Sequence, residues 1–357
     1  MRKESLRFFE NLISLPSPSG FEDNASKLFK DYVDEFCDEV YVDTLGNVIG
    51  VIHAERSTDA NIMVSGHIDE IGLMVKYIDE KGFIYFTAIG GVDIRLLMGL
   101  RVIIHTEKGK IKGVIGQKPI HLMEAKEREI VPKIKELFID IGAKNKKEAE
   151  KYVSVGDPVT VDFGFERLLN NRFVGRGFDD RMGAFCVAEL LRVVSSERNK
   201  LSMNLYCVAT VQEEIGLRGA TVSAYNINPK VGIAVDVGFA TDFPSVEPKI
   251  VGEAKLEGGP IISRGPNINP KLFDIIINSA KKNKIPYQIE GAPRGTGTDA
   301  NVMQLTRGGV ATALVSVPLR YMHTPVEVLS EKDLDNTINL LKHTVFALKP
   351  DMDFRPF

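Results

Sequence analysis

The sequence predicts an α/β fold, a sheet covered by helices on both faces, with a second, β-rich domain inserted into it. Three observations predict this. Continuous apolar runs such as Val48-Ile49-Gly50-Val51-Ile52 suit strands buried on both faces. Stretches of helical period alternate with those runs, as a sheet layered with helices requires. From about residue 70 to 162 the pattern changes to short β-rich runs separated by glycine turns. The first domain is therefore read as discontinuous, 1–69 and 163–357, around an insertion of 70–162.

Taken in order, Leu6, Phe9, Leu12 and Ile13 lie at helical spacing in the first stretch. Ala25, Leu28, Phe29, Tyr32, Val33 and Phe36 do so again after Ser17-Pro18-Ser19-Gly20. Strand-like runs follow at Val40–Val42, Val48–Ile52 and Ile62–Ser65. Within the insertion the runs are Phe83–Thr87, Arg101–His105 and Val159–Asp162, whereas 123–151, dense in Lys and Glu, reads as a solvated helix or mobile loop. Beyond it, strands are expected at Leu205–Thr210, Val231–Val235 and the apolar run Val310–Val317, with helices at about 182–198, 270–283 and 331–348.

A chain of 357 residues buries on the order of 75% of its unfolded surface, so it needs no disulfide or structural metal to be stable. Lys+Arg 45 against Asp+Glu 48 leaves no basic excess for phosphates, and nucleic acid is not an expected partner. Cys37, Cys186 and Cys207 are scattered in apolar contexts without a CxxC pair, which fits reduced thiols and a cytoplasmic protein. The charged N-terminus does not suit a signal peptide and no 18 apolar residues run together, so no membrane partner is expected.

Chemistry is concentrated at strand ends. In Gly66-His67-Ile68-Asp69, alternate residues of an extended chain share a side, which suits a metal-bound imidazole and its orienting carboxylate; a strand-end histidine satisfied locally is the plainer reading. Asp179-Asp180 precedes a helical run, where two acids either hold a cation or cap the helix. Gln212-Glu213-Glu214 follows a buried strand, at the edge where open α/β sheets bind ligands. Asp236 ends another strand, where it could equally cap a turn, and His323 stands before Thr324-Pro325, where a structural role is the alternative. The set His67, Asp180, Glu214, Asp236 and His323 suits a pair of Zn²⁺ or Co²⁺ ions.

Nearly end to end, the chain resembles the tetrahedral aminopeptidases, a family of dinuclear metallo-exopeptidases that includes glutamyl and deblocking aminopeptidases. The resemblance is carried by Leu15-Pro16-Ser17-Pro18-Ser19-Gly20, Gly66–Gly72, Asp179-Asp180-Arg181-Met182-Gly183, Gln212–Gly219, Gly297-Thr298-Asp299-Ala300 and Met322-His323-Thr324-Pro325. It implies a mixed-sheet, zinc-exopeptidase-like catalytic domain with a β-rich dimerisation domain inserted after the first histidine motif. It also implies that His67 and Asp236 hold one metal, Glu214 and His323 the other, and that Asp180 bridges them. Glu213 would be the general base and Asp69 the partner of His67. The implied activity is removal of N-terminal residues from short peptides inside a homododecamer built from dimers. A metal-dependent deacylase or amidohydrolase would use the same chemistry. Some relatives bear endoglucanase names, but a glycosidase needs two carboxylates across a sugar and no metal pair. Asp299 is expected to shape the site or to cap the segment after it. His53, His105, His121 and His343 receive no metal role, and the insertion is expected to serve contact between subunits rather than chemistry.

Overall fold

The apolar runs pair into one eight-stranded mixed sheet in the computed structural model, which describes every residue except Ser57. Across the sheet the order is Glu39–Val42, Val48–Ile52, Asn204–Thr210, Asn61–His67, Val231–Phe239, Ala311–Leu319, Ile261–Arg264 and Gln288–Gly291. The four central strands are mutually parallel and almost wholly buried, which is why they read as unbroken apolar runs. Their parallel course brings all four carboxyl ends to one edge. His67 lies opposite Thr210 in the register, and Asp236 opposite Ser316.

Helices cover both faces, and the alternation of side chains along Asn61–His67 shows how. Ser65 points towards Asp299, which begins the short helix Ala300–Gln304. Gly66 points the other way, onto the helix Phe178–Ser195. That helix packs with Glu331–Ala347 and with the first helix, Lys3–Ser14. The first helix buries Phe8, Phe9, Leu12 and Ile13, and its Phe9 sits among Phe165, Phe173, Phe178 and Phe185. The helix Arg218–Ile227, which packs against Ala300–Gln304, was not legible, because β-branched and polar residues blur its period.

After His67 the chain enters a closed six-stranded barrel: Gly72–Ile78, Ile84–Ile89, Ile139–Asp140, Gly109–Ile115, Arg101–Thr106 and Pro158–Val161 in spatial order. The barrel has its own core, including Val75, Ile84, Phe86, Val102, Ile104, Ile115 and Ile139. Here the expectation for 123–151 fails in part. Ile139 pairs with both Ile84 and Ile115, and Leu137 and Ala149 are buried, so the segment supplies a strand and core contacts that its Lys and Glu content hides. A small sheet of Glu166–Leu168, Arg172–Gly175 and Glu327–Ser330 follows the barrel and places Glu327 beside the start of the helix Phe178–Ser195. Cys37, Cys186 and Cys207 are unpaired, and no helix among the described residues is long and apolar enough to cross a membrane.

The contact at Gly66 is direct backbone packing. A Cβ there would lie 2.4 Å from the carbonyl carbon of Gly183 and 2.5 Å from the amide nitrogen of Ala184. Neither atom can yield without moving the helix start, so Gly66→Ala should destabilise the fold by about 1–3 kcal/mol, the usual cost of overpacking. Chemical denaturation monitored by circular dichroism checks this.

Candidate metal centre

The carboxyl edge of the sheet gathers His67, Asp179, Asp236, Glu213, Glu214 and His323. Two groups there could each hold a cation: His67, Asp179 and Asp236, and Asp179, Glu214 and His323, with ligand atoms within 4.8 Å of one another in each group. Asp179 belongs to both. One of its carboxylate oxygens lies 3.2 Å from Nε2 of His67 and the other 3.2 Å from Nε2 of His323. Nε2 of His323 is also 3.3 Å from Glu214, and Nε2 of His67 is 3.8 Å from Glu213. None of His53, His105, His121 and His343 belongs to either group.

The bridging role implied for Asp180 is corrected by this geometry: Asp180 belongs to neither group, and Asp179 is the residue common to both. The backbone is not helical at either residue, with ψ 108° at Asp179 and φ −118° at Asp180, and a cis peptide bond joins them. Asp180 turns back into the protein, where it accepts hydrogen bonds from the amides of His67 (3.0 Å) and Gly183 (3.1 Å). Of the two readings of the acid pair, capping holds for Asp180. Asp179 faces the histidines.

Buried carboxylates on backbone amides position the remaining groups. Asp69 is fully buried and accepts from the amides of Glu213 (3.0 Å) and Glu214 (3.1 Å) and from the hydroxyl of Ser19 (2.5 Å). Its own carbonyl oxygen lies nearer to Nδ1 of His67, at 3.1 Å, than its carboxylate does, at 3.5 Å. Asp69 thus fixes the Glu213-Glu214 turn as much as it orients His67. Glu327 accepts from the amides of Phe178, Asp179 and His323, tying two segments that reach the site. Glu70 pairs with Arg176 and Arg181 and holds the amide of Ser17. Burial brings the fully enclosed Arg181 down to about 10. Asp299 accepts from Ser65 and Thr210 and makes no side-chain cap to the following helix. Glu327 had no sequence signal. Ser19 lies in the Leu15–Gly20 motif, but nothing in its spacing points to Asp69 as its partner.

Burial pushes Glu213 up to about 9 and Asp236 up to about 8, with His67 opposing and neighbouring carboxylates adding to the rise. Burial likewise raises Glu214. Hydrogen bonds that it donates to Asp179 and Glu214 raise His323 to about 11, whereas Asp179, despite its burial, is held down to about 2 by the two histidines. Carboxylates that resist ionisation until an external positive charge arrives, beside imidazole nitrogens aimed at the same space, are a donor set that fits divalent cations.

An α/β enzyme with a histidine–carboxylate cation cluster at the carboxyl edge of its sheet is the class that this fold and site define. The chain belongs to the M42 glutamyl aminopeptidase family, whose model matches residues 46–340, and it is a peptide hydrolase. It is 43% identical over 350 residues to the lysyl aminopeptidase of Pyrococcus furiosus, covering 97% of this chain and 98% of that relative. The TET aminopeptidase of the marine sediment archaeon Thaumarchaeota archaeon SCGC AB-539-E09 superposes with a TM-score of 0.92 at 34% identity, covering 98% of each chain. The TET1 peptidase of Pyrococcus horikoshii superposes with a TM-score of 0.86 at 30% identity, covering 96% of this chain and all of that one; that peptidase can assemble into a tetrahedron or a large octahedral shell.

These shifts set a sign for stability. In the metal-stripped fold Glu213, Asp236 and His323 keep protons up to about 9, 8 and 11, whereas unfolded carboxylates and histidines release them near 4 and 6.5. The fold then binds more protons than the unfolded chain, and its stability falls as pH rises through that window. The melting temperature of chelator-stripped protein should drop steadily from about pH 5 to 9, and added Zn²⁺ should remove most of the drop. Differential scanning calorimetry with and without chelator measures both.

Proposed function

We propose that this protein removes single residues from the free N-terminus of short peptides with the help of two divalent cations of the zinc or cobalt kind. His67 and Asp236 would hold one, Glu214 and His323 the other, and Asp179 both. The observation that carries this reading is the Asp179 carboxylate lying 3.2 Å from each of two imidazoles, one oxygen to each. Cations bound there supply Lewis-acid charge for the scissile carbonyl and acidify the attacking water.

The protein's own residues supply the rest. Glu213 is buried beside His67, belongs to neither candidate ligand group and is fixed by its amide to Asp69. Ionised once cations occupy the neighbouring groups, its carboxylate would take the proton of the attacking water and then deliver it to the leaving amine. Asp69 keeps Glu213 and Glu214 on opposite duties by bonding both amides. Glu327 holds Asp179 and His323 in a fixed relation through their amides.

Assembly follows from the barrel. The segment between its strands Gly109–Ile115 and Ile139–Asp140 exposes Ile120, Leu122, Ile130 and Val131, large apolar side chains that a solitary chain would cover. Paired barrels and a second contact elsewhere would close into a shell of twelve; among the similar structures, PhTET1-12s is a dodecamer and the Pyrococcus horikoshii TET1 peptidase can assemble into a tetrahedron.

Aminoacyl chromogenic substrates, free peptides and N-acylated peptides, assayed on stripped enzyme with Zn²⁺ or Co²⁺ added back, test the activity. Cleavage of N-acylated substrates alone would make the protein a deacylase. Glu213→Gln should lower kcat at least about 100-fold with metal content unchanged, whereas Asp179→Ala should lose both cations by elemental analysis. In light scattering the protein should have the mass of twelve chains, and it should trim a short peptide while sparing a folded protein with an exposed N-terminal residue. A monomer, or equal trimming of both, would rule out the shell.

A further inference from the structure

We propose that Gly91, which belongs to the inserted barrel, is a positioning residue of the metal centre: its carbonyl oxygen fixes the ring of His323 for the cation that Glu214 and His323 hold. This inference rests on the proposed reading of Glu214 and His323 as ligands.

The two histidines of the site are supported differently. His67 is buried at the end of a core strand and is oriented by Asp69, two residues away. His323 has no such enclosure. It stands on a loop in the left-handed region, at φ 59°, with its side chain one-third exposed. Its Nε2 faces Asp179 and Glu214, so only Nδ1 remains to fix the plane of the ring. Nδ1 lies 2.9 Å from the carbonyl oxygen of Gly91. A carbonyl only accepts, so Nδ1 keeps its hydrogen, and Nε2 is the nitrogen that gives up its proton and offers a lone pair when a cation is seated.

The surrounding turn is shaped for this approach. Gly90 has φ +73°, and a Cβ on it would lie 2.8 Å from Ile71 and 3.3 Å from Glu214. A Cβ on Gly91 would lie 3.0 Å from Nδ1 and 3.1 Å from Cε1 of His323. Two consecutive glycines thus let barrel backbone come within contact of both ligands of one cation. The barrel holds the turn firmly. Asp93 caps the short helical turn Ile94–Leu96, and Val92, Ile94 and Leu97 pack on the barrel core. A cleft beside the site is lined by Val92 and Leu96 of the insertion together with Glu214 and His323. The insertion therefore touches the chemistry, against the expectation that it serves subunit contact alone.

The test compares full-length wild type with Gly91→Ala, both stripped and then titrated with Zn²⁺ by calorimetry and with Co²⁺ by visible absorption. Wild type should bind two equivalents. Gly91→Ala keeps the carbonyl, but its Cβ would press on the His323 ring and shift it off that oxygen, so the variant should bind one equivalent as wild type does and the other about 10–100-fold more weakly, the usual effect of disturbing a ligand's orienting contact. Its cobalt spectrum should change, and activity should recover with excess metal. The melting temperature of the stripped variant should match stripped wild type, because the contact matters only for the ligand. Two wild-type affinities and an unchanged spectrum in the variant would overturn the inference. Should Gly91→Ala lower the stripped melting temperature, Asp93→Ala decides, since it loosens the turn and adds no atom near His323: weakening of the same equivalent supports the inference, and no weakening overturns it. A wild type that binds no cation would instead remove the two-cation reading itself, and this inference with it.

Discussion

The governing constraint is the packing of like charges. Asp69, Glu70, Asp179, Asp180, Glu213, Asp236, Asp299 and Glu327 are all buried within one region of the molecule. So many carboxylates in a poorly solvated space repel unless each has donors or a counter-charge. The fold sorts them. Asp69, Asp180 and Glu327 are spent on backbone amides, Glu70 on two arginines, and Asp299 on two hydroxyls. Asp179 and Glu214 instead face imidazole nitrogens, and Asp236 has only the amide of Val237. Asp179, Asp236 and Glu214 are the members placed where cations could take up their charge, Glu213 stands beside them without a donor of its own, and the carboxylates tied to amides and arginines form the rigid frame around them.

That division explains what the sequence could and could not show. Strands buried on both faces declare themselves as apolar runs, and in a parallel arrangement their ends must share an edge, so His67, Glu213, Glu214 and Asp236 were legible as neighbours before any coordinates. His323 was legible chiefly through the motif around it. The roles of Asp179 and Asp180 were not separable, because adjacent acids at a helix start look alike until the backbone kink at those two residues is known. The same holds for Ile139. Its place in the barrel core depends on pairing with Ile84 and Ile115, far away in the chain, and local charge outweighs it in any short window.

Glycines mark the places where segments meet without side chains between them. Gly66 sets the strand carrying His67 directly on the helix that starts with Asp179, and Gly91 sets the barrel against His323. Backbone contacts of this kind transmit position with little slack, because there is no rotamer to absorb a shift. The larger domain and the barrel have separate apolar cores, yet they share one polar centre.

The residues around Asp179 come from positions as far apart as His67 and His323 in the chain. A cation seated between them would act as a clasp across that whole span, present in the folded chain and without a counterpart in the unfolded one. Its contribution to stability would then follow mass action, gaining about 1.4 kcal/mol for every tenfold rise in free cation above the dissociation constant. Resistance to heat would become a property of the medium as much as of the chain: the same molecules would endure where the metal is plentiful and unravel sooner where it is scarce.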